Sequence, residues 1–89
     1  MNELKETVEL MLSNDYKERF KAEYYQLKIR IDKLDNMLSK MKNDELNFIP
    51  TCPYELLQYQ LKAMLLYKMY LKERAKIEKI DLEELRKWQ

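Results

Sequence analysis

The chain has 89 residues, and its 17 lysines and arginines against 16 aspartates and glutamates leave a formal net charge of +1. A domain this small buries only about 60 to 65% of the surface that its unfolded chain exposes, so we expect added stabilisation from a disulfide, a metal or self-association. Its single cysteine, Cys52, and its lack of histidine exclude an intramolecular disulfide and disfavour a zinc site, which leaves self-association.

The distribution of charge limits the classes of partner. A protein that binds duplex nucleic acid is normally strongly basic, which a net charge of +1 does not match. Residues 1–14 have a net charge of −2, whereas 15–43 (eight basic, five acidic) and 53–80 (six basic, three acidic) each have +3. Two mildly basic segments in a nearly neutral chain favour a small anionic ligand, and we expect no duplex nucleic acid among the partners.

The hydropathy of the chain indicates no membrane segment. No apolar run approaches the roughly 20 residues that a transmembrane helix needs. The acidic, amphipathic N-terminal residues do not resemble a signal peptide, which has a basic start and a continuous apolar core. With one free thiol and no export signal, we expect a cytoplasmic protein without a membrane partner.

The composition predicts an all-α fold: a short N-terminal helix followed by a long antiparallel helical hairpin. Glycine is absent, and both prolines lie in one place, as expected of a chain without strands and tight turns. We predict one domain over residues 1–89, with a first helix at about 2–12. The apolar face of this helix consists of Leu4, Val8 and Met11.

The second helix is predicted over residues 15–43. If the first helix continued, its apolar stripe would fall on charged residues, so a new helix is expected here. Three good N-capping residues lie at this break: Ser13, Asn14 and Asp15. Asp15 and Glu18 are spaced as in a capping box. Beyond them, apolar residues recur at spacings of three and four, which predicts lengthwise packing against a partner helix. This seam consists of Phe20, Tyr24, Leu27, Ile31, Leu34, Leu38 and Met41.

The third helix is predicted over residues 53–88, after a connector at 44–52. Pro53 is expected at its first helical position, with Cys52 or Thr51 as the cap. Two apolar stripes make this helix apolar around most of its circumference. One consists of Leu57, Leu61, Met64, Leu71 and Ala75, and the other of Leu56, Tyr59, Ala63, Leu66, Tyr70, Ile77 and Ile80.

We expect one of these stripes to face the second helix and the other to be covered by another copy of the chain, because the first helix is too short to cover it. Asp81 and Glu84 also have a capping spacing. This leaves open whether residues 81–88 form a separate helix or continue the third one.

The side chains offer little for catalysis, so we predict that the protein is not an enzyme and has no cofactor. There is no histidine for acid–base chemistry and no glycine-rich loop for phosphates. Cys52 is interpreted as a loop or cap residue, and Glu83 and Glu84 as part of a solvated helix face.

Tyrosine is unusually common for an all-helical chain, with seven residues. A tyrosine ring offers a flat face for base stacking and a hydroxyl for a polar contact, and basic side chains bind phosphates. The basic candidates are Arg19, Lys28, Arg30, Lys33 and Arg74. The alternative interpretation is that the tyrosines pack a helical interface and the basic residues keep the protein in solution.

Two segments carry a family resemblance: YKERFKAEYYQLKIRIDKL at 16–34 and LLQYQLKAMLLYKMYLKER at 56–74. The matching positions are Tyr16, Arg19, Glu23, Leu27, Arg30, Lys33, Leu34, Gln60, Leu61, Met64, Tyr67, Leu71 and Arg74. With these residues the chain resembles a small bacteriophage family that is also found in crAss-like phages and is similar to the second type of anti-CBASS phage protein. The match spans both long helices.

The resemblance implies a function in immune evasion. CBASS is a bacterial antiphage defence in which infection triggers synthesis of a cyclic oligonucleotide that activates a cell-killing effector. The resemblance implies a protein that sequesters this messenger without cleaving it, in the cytoplasm of the infected host. It also implies a homohexamer with cyclic dinucleotides such as 3′,3′-cyclic GMP-AMP in pockets between protomers, and with separate sites for cyclic trinucleotides.

The resemblance further implies that a tyrosine stacks on the base, while a lysine and an arginine make polar contacts. Tyr16 heads the first motif and is the stacking candidate. Arg74 ends the second motif and is the candidate for the trinucleotide site. Lys28, Arg30 and Lys33 all lie near the expected position of the lysine, and the choice among them stays open.

Two functions of other classes also stay open. One is a small oligomeric helical adaptor that binds a protein partner through the third helix. The other is binding of single-stranded nucleic acid, which is less compatible with a net charge of +1.

Overall fold

The computed structural model of the chain describes residues 2–82, and their regular secondary structure is entirely helical. A 3-10 turn at Leu4–Thr7 leads into α1 at Val8–Met11, followed by α2 at Tyr16–Lys42 and α3 at Tyr54–Glu78. The predicted all-α class is confirmed. No helix in this part of the chain combines the length and hydropathy needed to cross a membrane.

The N-terminal helix differs from its prediction. Instead of one α-helix over 2–12, a 3-10 turn precedes a single α-helical turn. The reason lies in Thr7, which is completely buried and whose hydroxyl donates to the Leu4 carbonyl oxygen at 2.7 Å. This bond reaches back three residues, the spacing of a 3-10 turn. The same hydroxyl oxygen accepts a hydrogen bond from Gln26 Nε2 at 2.9 Å, which attaches the turn to α2.

The beginning of α2 is set by a network of polar side chains. Asp15 is the N-cap, and its carboxylate accepts a hydrogen bond from the Lys17 backbone N–H at 2.9 Å. Glu18, however, does not complete a box with Asp15. Its carboxylate accepts a hydrogen bond from the Ser13 hydroxyl, which itself accepts one from the Asp15 N–H at 3.0 Å. Ser13 therefore connects the cap residue with Glu18.

Helix α2 is the central element, because it packs against both the N-terminal segment and α3. Five of the seven residues of the predicted seam are buried, whereas Leu34 and Met41 are half-buried. Ala22 and Ile29 are also buried and lie one turn either side of Gln26, on the face that meets the N-terminal turn. The second buried face of α2 was not predicted from the sequence.

Helix α3 is shorter than predicted at both ends. Pro53 is its N-cap, not its first helical residue, and α3 has no side-chain cap. At the other end the helix stops at Glu78, because Lys79 adopts a left-handed conformation with φ of 58°. The Ile80 N–H then donates to the Ala75 carbonyl oxygen at 2.8 Å, a bond typical of a Schellman C-cap. The predicted helix over 79–82 is therefore wrong, and the question of a separate last helix lies mostly outside the described residues.

The turn after α3 brings the chain back onto the core. Ile80 and Leu82 are buried in the same cluster as Phe20 and Leu71, and the Tyr25 hydroxyl donates to the Leu82 carbonyl oxygen at 3.0 Å. Helix termination thus converts Ile80 from a member of the outer stripe into a core residue.

The two stripes of α3 have different environments. Leu57, Leu71 and Ala75 of the inner stripe are buried, and Leu61 and Met64 pack against the core as half-buried residues. The outer stripe is exposed apart from Ile80. Its large members are Leu56, Tyr59, Leu66, Tyr70 and Ile77, with exposures from 48% to 81%. The inner stripe is confirmed, and the cover over the outer stripe stays a prediction.

Candidate functional site

Tyr16 and Arg74, the two residues predicted to bind ligand at the outer ends of the motifs, are in direct contact. Tyr16 is the first residue of α2, and Arg74 lies one turn before the end of α3. An Arg74 guanidinium nitrogen, Nη2, donates to the Tyr16 hydroxyl oxygen at 2.9 Å. The Tyr16 hydroxyl in turn donates to Glu78 Oε1 at 2.8 Å. The three side chains close into a triangle through Arg74 Nε, which lies 3.4 Å from Glu78 Oε2.

Phe20 forms the floor of this Tyr16–Arg74–Glu78 cluster. The guanidinium carbon of Arg74 lies 4.9 Å from the centre of the Phe20 ring, a cation–π contact. The Tyr16 ring meets Phe20 edge to face, with 6.2 Å between the ring centres and 62° between their planes. Phe20 is 2% exposed, whereas Tyr16 is 46% exposed. The cluster is therefore built on the core but open to solvent.

The electrostatics of the cluster keep the Tyr16 phenol protonated and Arg74 charged. The hydrogen bond to Glu78 is the main cause that raises the pKa of Tyr16 above its ordinary value, and desolvation acts in the same direction. Desolvation lowers the pKa of Arg74, but Tyr16 and Glu78 together outweigh it and leave the pKa raised. A charged guanidinium beside a neutral phenol and an aromatic floor can bind the phosphate of a ligand.

A second polar pair lies seven residues later in α2 and seven residues earlier in α3. The Tyr67 hydroxyl donates to Glu23 Oε2. Because Tyr16 bonds to Arg74 and Glu23 to Tyr67, the same register places Arg30 of α2 level with Gln60 of α3. We call this row the polar edge of the α2–α3 interface. It consists of Tyr16, Glu23 and Arg30 of α2 and of Gln60, Tyr67 and Arg74 of α3.

Of the remaining predicted site residues, Arg19 lies one turn after Tyr16 but is bonded elsewhere, and Arg30 and Lys33 are distant from Tyr16 within one chain. Arg19 donates from Nη1 to the Ser13 carbonyl oxygen at 2.8 Å, so it closes the break before α2. Arg30 and Lys33 are exposed, about 21 and 25 Å further along α2 at a rise of 1.5 Å per residue. Lys28 is half-buried and lies about a third of a turn around the helix from Tyr16.

Three grooves lined by described residues lie away from this cluster. One of about 470 Å³ lies under the connector and includes Met41 and Phe48. One of about 400 Å³ lies between α2 and the first half of α3 and includes Asp35 and Tyr54. One of about 390 Å³ lies beside the end of α3 and includes Lys72. None of these three grooves is lined by a predicted site residue.

The sequence does not predict four residues near this cluster as parts of a site: Phe20 and Glu78, which contact Arg74 and Tyr16, and the Glu23–Tyr67 pair. Phe20 lies in the predicted seam, and its ring also supports the Arg74 guanidinium. The spacing of Glu78 four residues after Arg74 predicts an ion pair on one helix face. The residues of the polar edge are spaced seven apart within each helix, which the sequence shows. Only the register of α2 against α3 aligns the two sets into one row.

Comparison with known families agrees with the resemblance. No curated protein and no solved structure matches the chain. A family model described as Sequestin matches residues 14–77, which include α2, the connector and all but the last residue of α3. The match covers both motifs, with Tyr16 and Arg74. The resemblance predicted from the sequence is thereby confirmed. The chain therefore belongs to the Sequestin family.

Proposed function

We propose that this protein binds cyclic dinucleotides, and cyclic trinucleotides as well, and sequesters them without cleavage, so that the messengers of CBASS immunity do not reach their effectors. The observation that carries the proposal is membership of the Sequestin family over residues 14–77. The resemblance to anti-CBASS proteins supports the ligand class and the place of action, the cytoplasm of an infected bacterium.

The Tyr16–Arg74–Glu78 cluster supports the proposal in chemical terms. The half-exposed Tyr16 ring offers a face to a nucleobase, and Arg74 offers a guanidinium whose orientation Phe20 and Tyr16 hold. A group that is held in place before the ligand arrives loses less conformational entropy on binding. We assign base stacking in the dinucleotide site to Tyr16, and a phosphate contact in the trinucleotide site to Arg74.

The pocket is proposed to form between protomers of a homohexamer, with the antiparallel α2–α3 hairpin as the protomer. The distances along α2 support this, because Arg30 or Lys33 lies too far from Tyr16 to share a small pocket with it in one chain. A neighbouring protomer supplies one of Lys28, Arg30 and Lys33. The exposed outer stripe of α3 supplies an apolar surface for such an assembly.

The same exposed stripe also favours the adaptor function, in which α3 binds a protein partner. The two proposals differ in their ligand. A sponge requires Tyr16 and Arg74 for nucleotide binding, whereas an adaptor requires only the apolar surface.

A thermal-unfolding panel separates them. The purified protein is measured with cyclic dinucleotides, cyclic trinucleotides, linear dinucleotides and ATP. A ligand at about a hundred times its dissociation constant stabilises the folded state by roughly 2.7 kcal/mol, which shifts the melting temperature of so small a domain by several degrees. We expect a shift with the cyclic species alone, and the ligand released from the heated complex should be intact.

Two variants provide the matched comparison. Tyr16→Ala should abolish the shift with cyclic dinucleotides, whereas Phe48→Ala removes an exposed aromatic side chain in the connector and should keep it. Release of a linear product would contradict sequestration. If no nucleotide shifts the melting temperature, the adaptor function is favoured, and a pull-down with the intact protein as bait becomes the next experiment.

A further inference from the structure

A long furrow runs along one flank of α3, on the other side of the helix from the polar edge. It begins with the groove of about 400 Å³ between α2 and α3, continues through one of about 240 Å³ beside the middle of α3, and ends with the groove of about 390 Å³. Leu65 borders the first two grooves, and Met69 and Lys72 border the last two, so the three are continuous. We call this surface the lysine furrow.

The lysine furrow combines an exposed apolar floor with a basic rim. Leu65 and Met69 of the floor are 47% and 49% exposed. Acidic residues of the furrow are fewer than its lysines, and one of them, Glu73, is paired with Lys76 at 3.4 Å. The lysines are Lys42, Lys62, Lys68, Lys72 and Lys76. Such a surface is complementary to a segment with acidic and apolar side chains.

The N-terminal segment, residues 2–12, has this complementary character. Its charged residues are all exposed and leave a net charge of −2: Glu3, Lys5, Glu6 and Glu9. Val8 and Leu12 are apolar and are 41% and 72% exposed, and α1 has no buried residue. The segment therefore offers acidic and apolar side chains that the described part of its own protomer leaves exposed.

The segment and the furrow lie on opposite sides of one protomer. Gln26 holds the segment, because its Nε2 donates to the Thr7 hydroxyl oxygen at 2.9 Å. Asp35, which lines the furrow, follows Gln26 by about two and a half turns of α2, so the two side chains lie on opposite faces of that helix. The segment packs against α2 and not against α3. It therefore does not fill the furrow of its own chain.

We propose that the N-terminal segment of one protomer docks in the lysine furrow of the next. The inference rests on the proposed function, from which it takes the homo-oligomer. A contact between two different surfaces is heterologous, and its repetition from protomer to protomer closes a ring. The docked Leu12 lies four residues before Tyr16. The contact therefore holds the Tyr16 of one protomer beside the next protomer, where the proposed pocket lies.

The test reverses one charge on each side of the contact, with Glu9→Lys in the segment and Lys72→Glu in the furrow. Both residues are exposed, so the helix content should stay that of the wild type. Each reversal places like charges across the contact. We expect each to raise the dissociation constant of the assembly roughly fivefold, as measured by light scattering over a dilution series. Lys40→Glu makes the same change on an exposed part of α2 and should leave this constant unaltered.

A mixture of the two variants in equal amounts tests whether the two surfaces meet. The segment of Glu9→Lys then faces the furrow of Lys72→Glu, and the unaltered segment faces the unaltered furrow. An alternating ring has opposite charges at every contact, so the mixture should regain the wild-type dissociation constant. A mixture of Glu9→Lys with Lys40→Glu should not regain it, although it contains proteins of the same net charge.

A further variant keeps the charge of the segment. Leu12→Ala shortens a side chain that is exposed in the single chain and that the proposed contact buries. It should also weaken the assembly while leaving the helix content unchanged. It replaces either charge reversal if that variant loses helix content. Wild-type assembly by Leu12→Ala contradicts the docking of this segment.

Two results overturn the inference and leave the proposed function standing. One is a wild-type oligomer whose dissociation constant neither reversal changes. The other is a mixture that does not recover, which indicates another occupant of the furrow, such as an acidic segment of a different protein. A monomeric wild type overturns the inference together with the proposed homohexamer. The proposed ligand is measured separately, by the thermal shift of the wild type with cyclic nucleotides, so the two failures are distinguishable.

Discussion

Helices α2 and α3 are similar in length but differ in how much of their surface a single chain covers. Eight of the 27 residues of α2 are buried, against three of the 25 residues of α3. Yet α3 is the helix with apolar side chains around most of its circumference. The more apolar helix is therefore the more exposed one, because among the helices in residues 2–82 α2 packs against two neighbours and α3 against one.

The comparison shows that burial follows the position of a helix among its neighbours as much as its composition. Large exposed apolar surfaces commonly mark binding interfaces. For α3 the inner stripe stabilises the single chain, and the outer stripe is left exposed. The following experiments test this division.

The largest effect on folding is expected from the inner stripe. Leu71 is 1% exposed and lies in the main core cluster. Leu71→Ala should lower the free energy of unfolding by about 3 to 5 kcal/mol, through lost apolar burial and the cavity that remains. Denaturation by urea at one fixed protein concentration measures it.

The matched control for this experiment is Leu66→Ala, which makes the same chemical change at a leucine that is 48% exposed in the single chain. In an isolated chain it should cost much less. If both variants lose the same free energy of unfolding, Leu66 does not lie on an uncovered surface of the single chain. The exception is a loss at Leu66 that becomes smaller when the protein is diluted, which indicates burial between chains.

A charged residue in the outer stripe should have a smaller effect on the stability of the single chain and a large effect on its assembly. Leu66→Glu places a carboxylate in a surface that the proposed homo-oligomer buries, where an unpaired charge is strongly disfavoured. The mass measured by light scattering should fall to that of a single chain, with helix content unchanged. Asn36→Glu, on the exposed side of α2, provides the control and should leave the mass unaltered. A wild type that is itself monomeric would contradict the proposed oligomer.

The smallest effect is expected at the contact between the two helices at Tyr16. The pKa of Tyr16 is raised in the folded protein, chiefly by its hydrogen bond to Glu78. A raised folded-state pKa means that the contribution of this group to stability is complete below about pH 10, the ordinary tyrosine value. That contribution is lost as the pH rises through the folded-state pKa.

The measurement is the free energy of unfolding against pH in the alkaline range, for the wild type and for Tyr16→Phe. The wild type should lose more stability than the variant as Tyr16 ionises. Parallel curves for the two proteins would contradict the hydrogen-bonded state of the phenol.

The sequence was sufficient for features that depend on local chemistry. The absence of glycine, the regular spacing of the seam and the capping residues before α2 predict helices and one of their contact faces, because these patterns act within a few residues of each other. Asp15, one of the three predicted capping residues, is the N-cap, and five seam residues of α2 are buried. Membership of the Sequestin family also follows from residues that the sequence displays.

Tertiary structure decided the features that depend on residues distant in the chain. Lys79 has no glycine-like signal, yet it adopts a left-handed conformation, and the turn that it makes buries Ile80 and Leu82 against α2. The register of α2 against α3 brings Tyr16 to Arg74 and Glu78 across about 60 residues of sequence. No local pattern contains this register, because it results from the packing of two long apolar faces against each other. The sequence therefore determined which side chains are available for a ligand, and the packing of the two helices decided which of them meet.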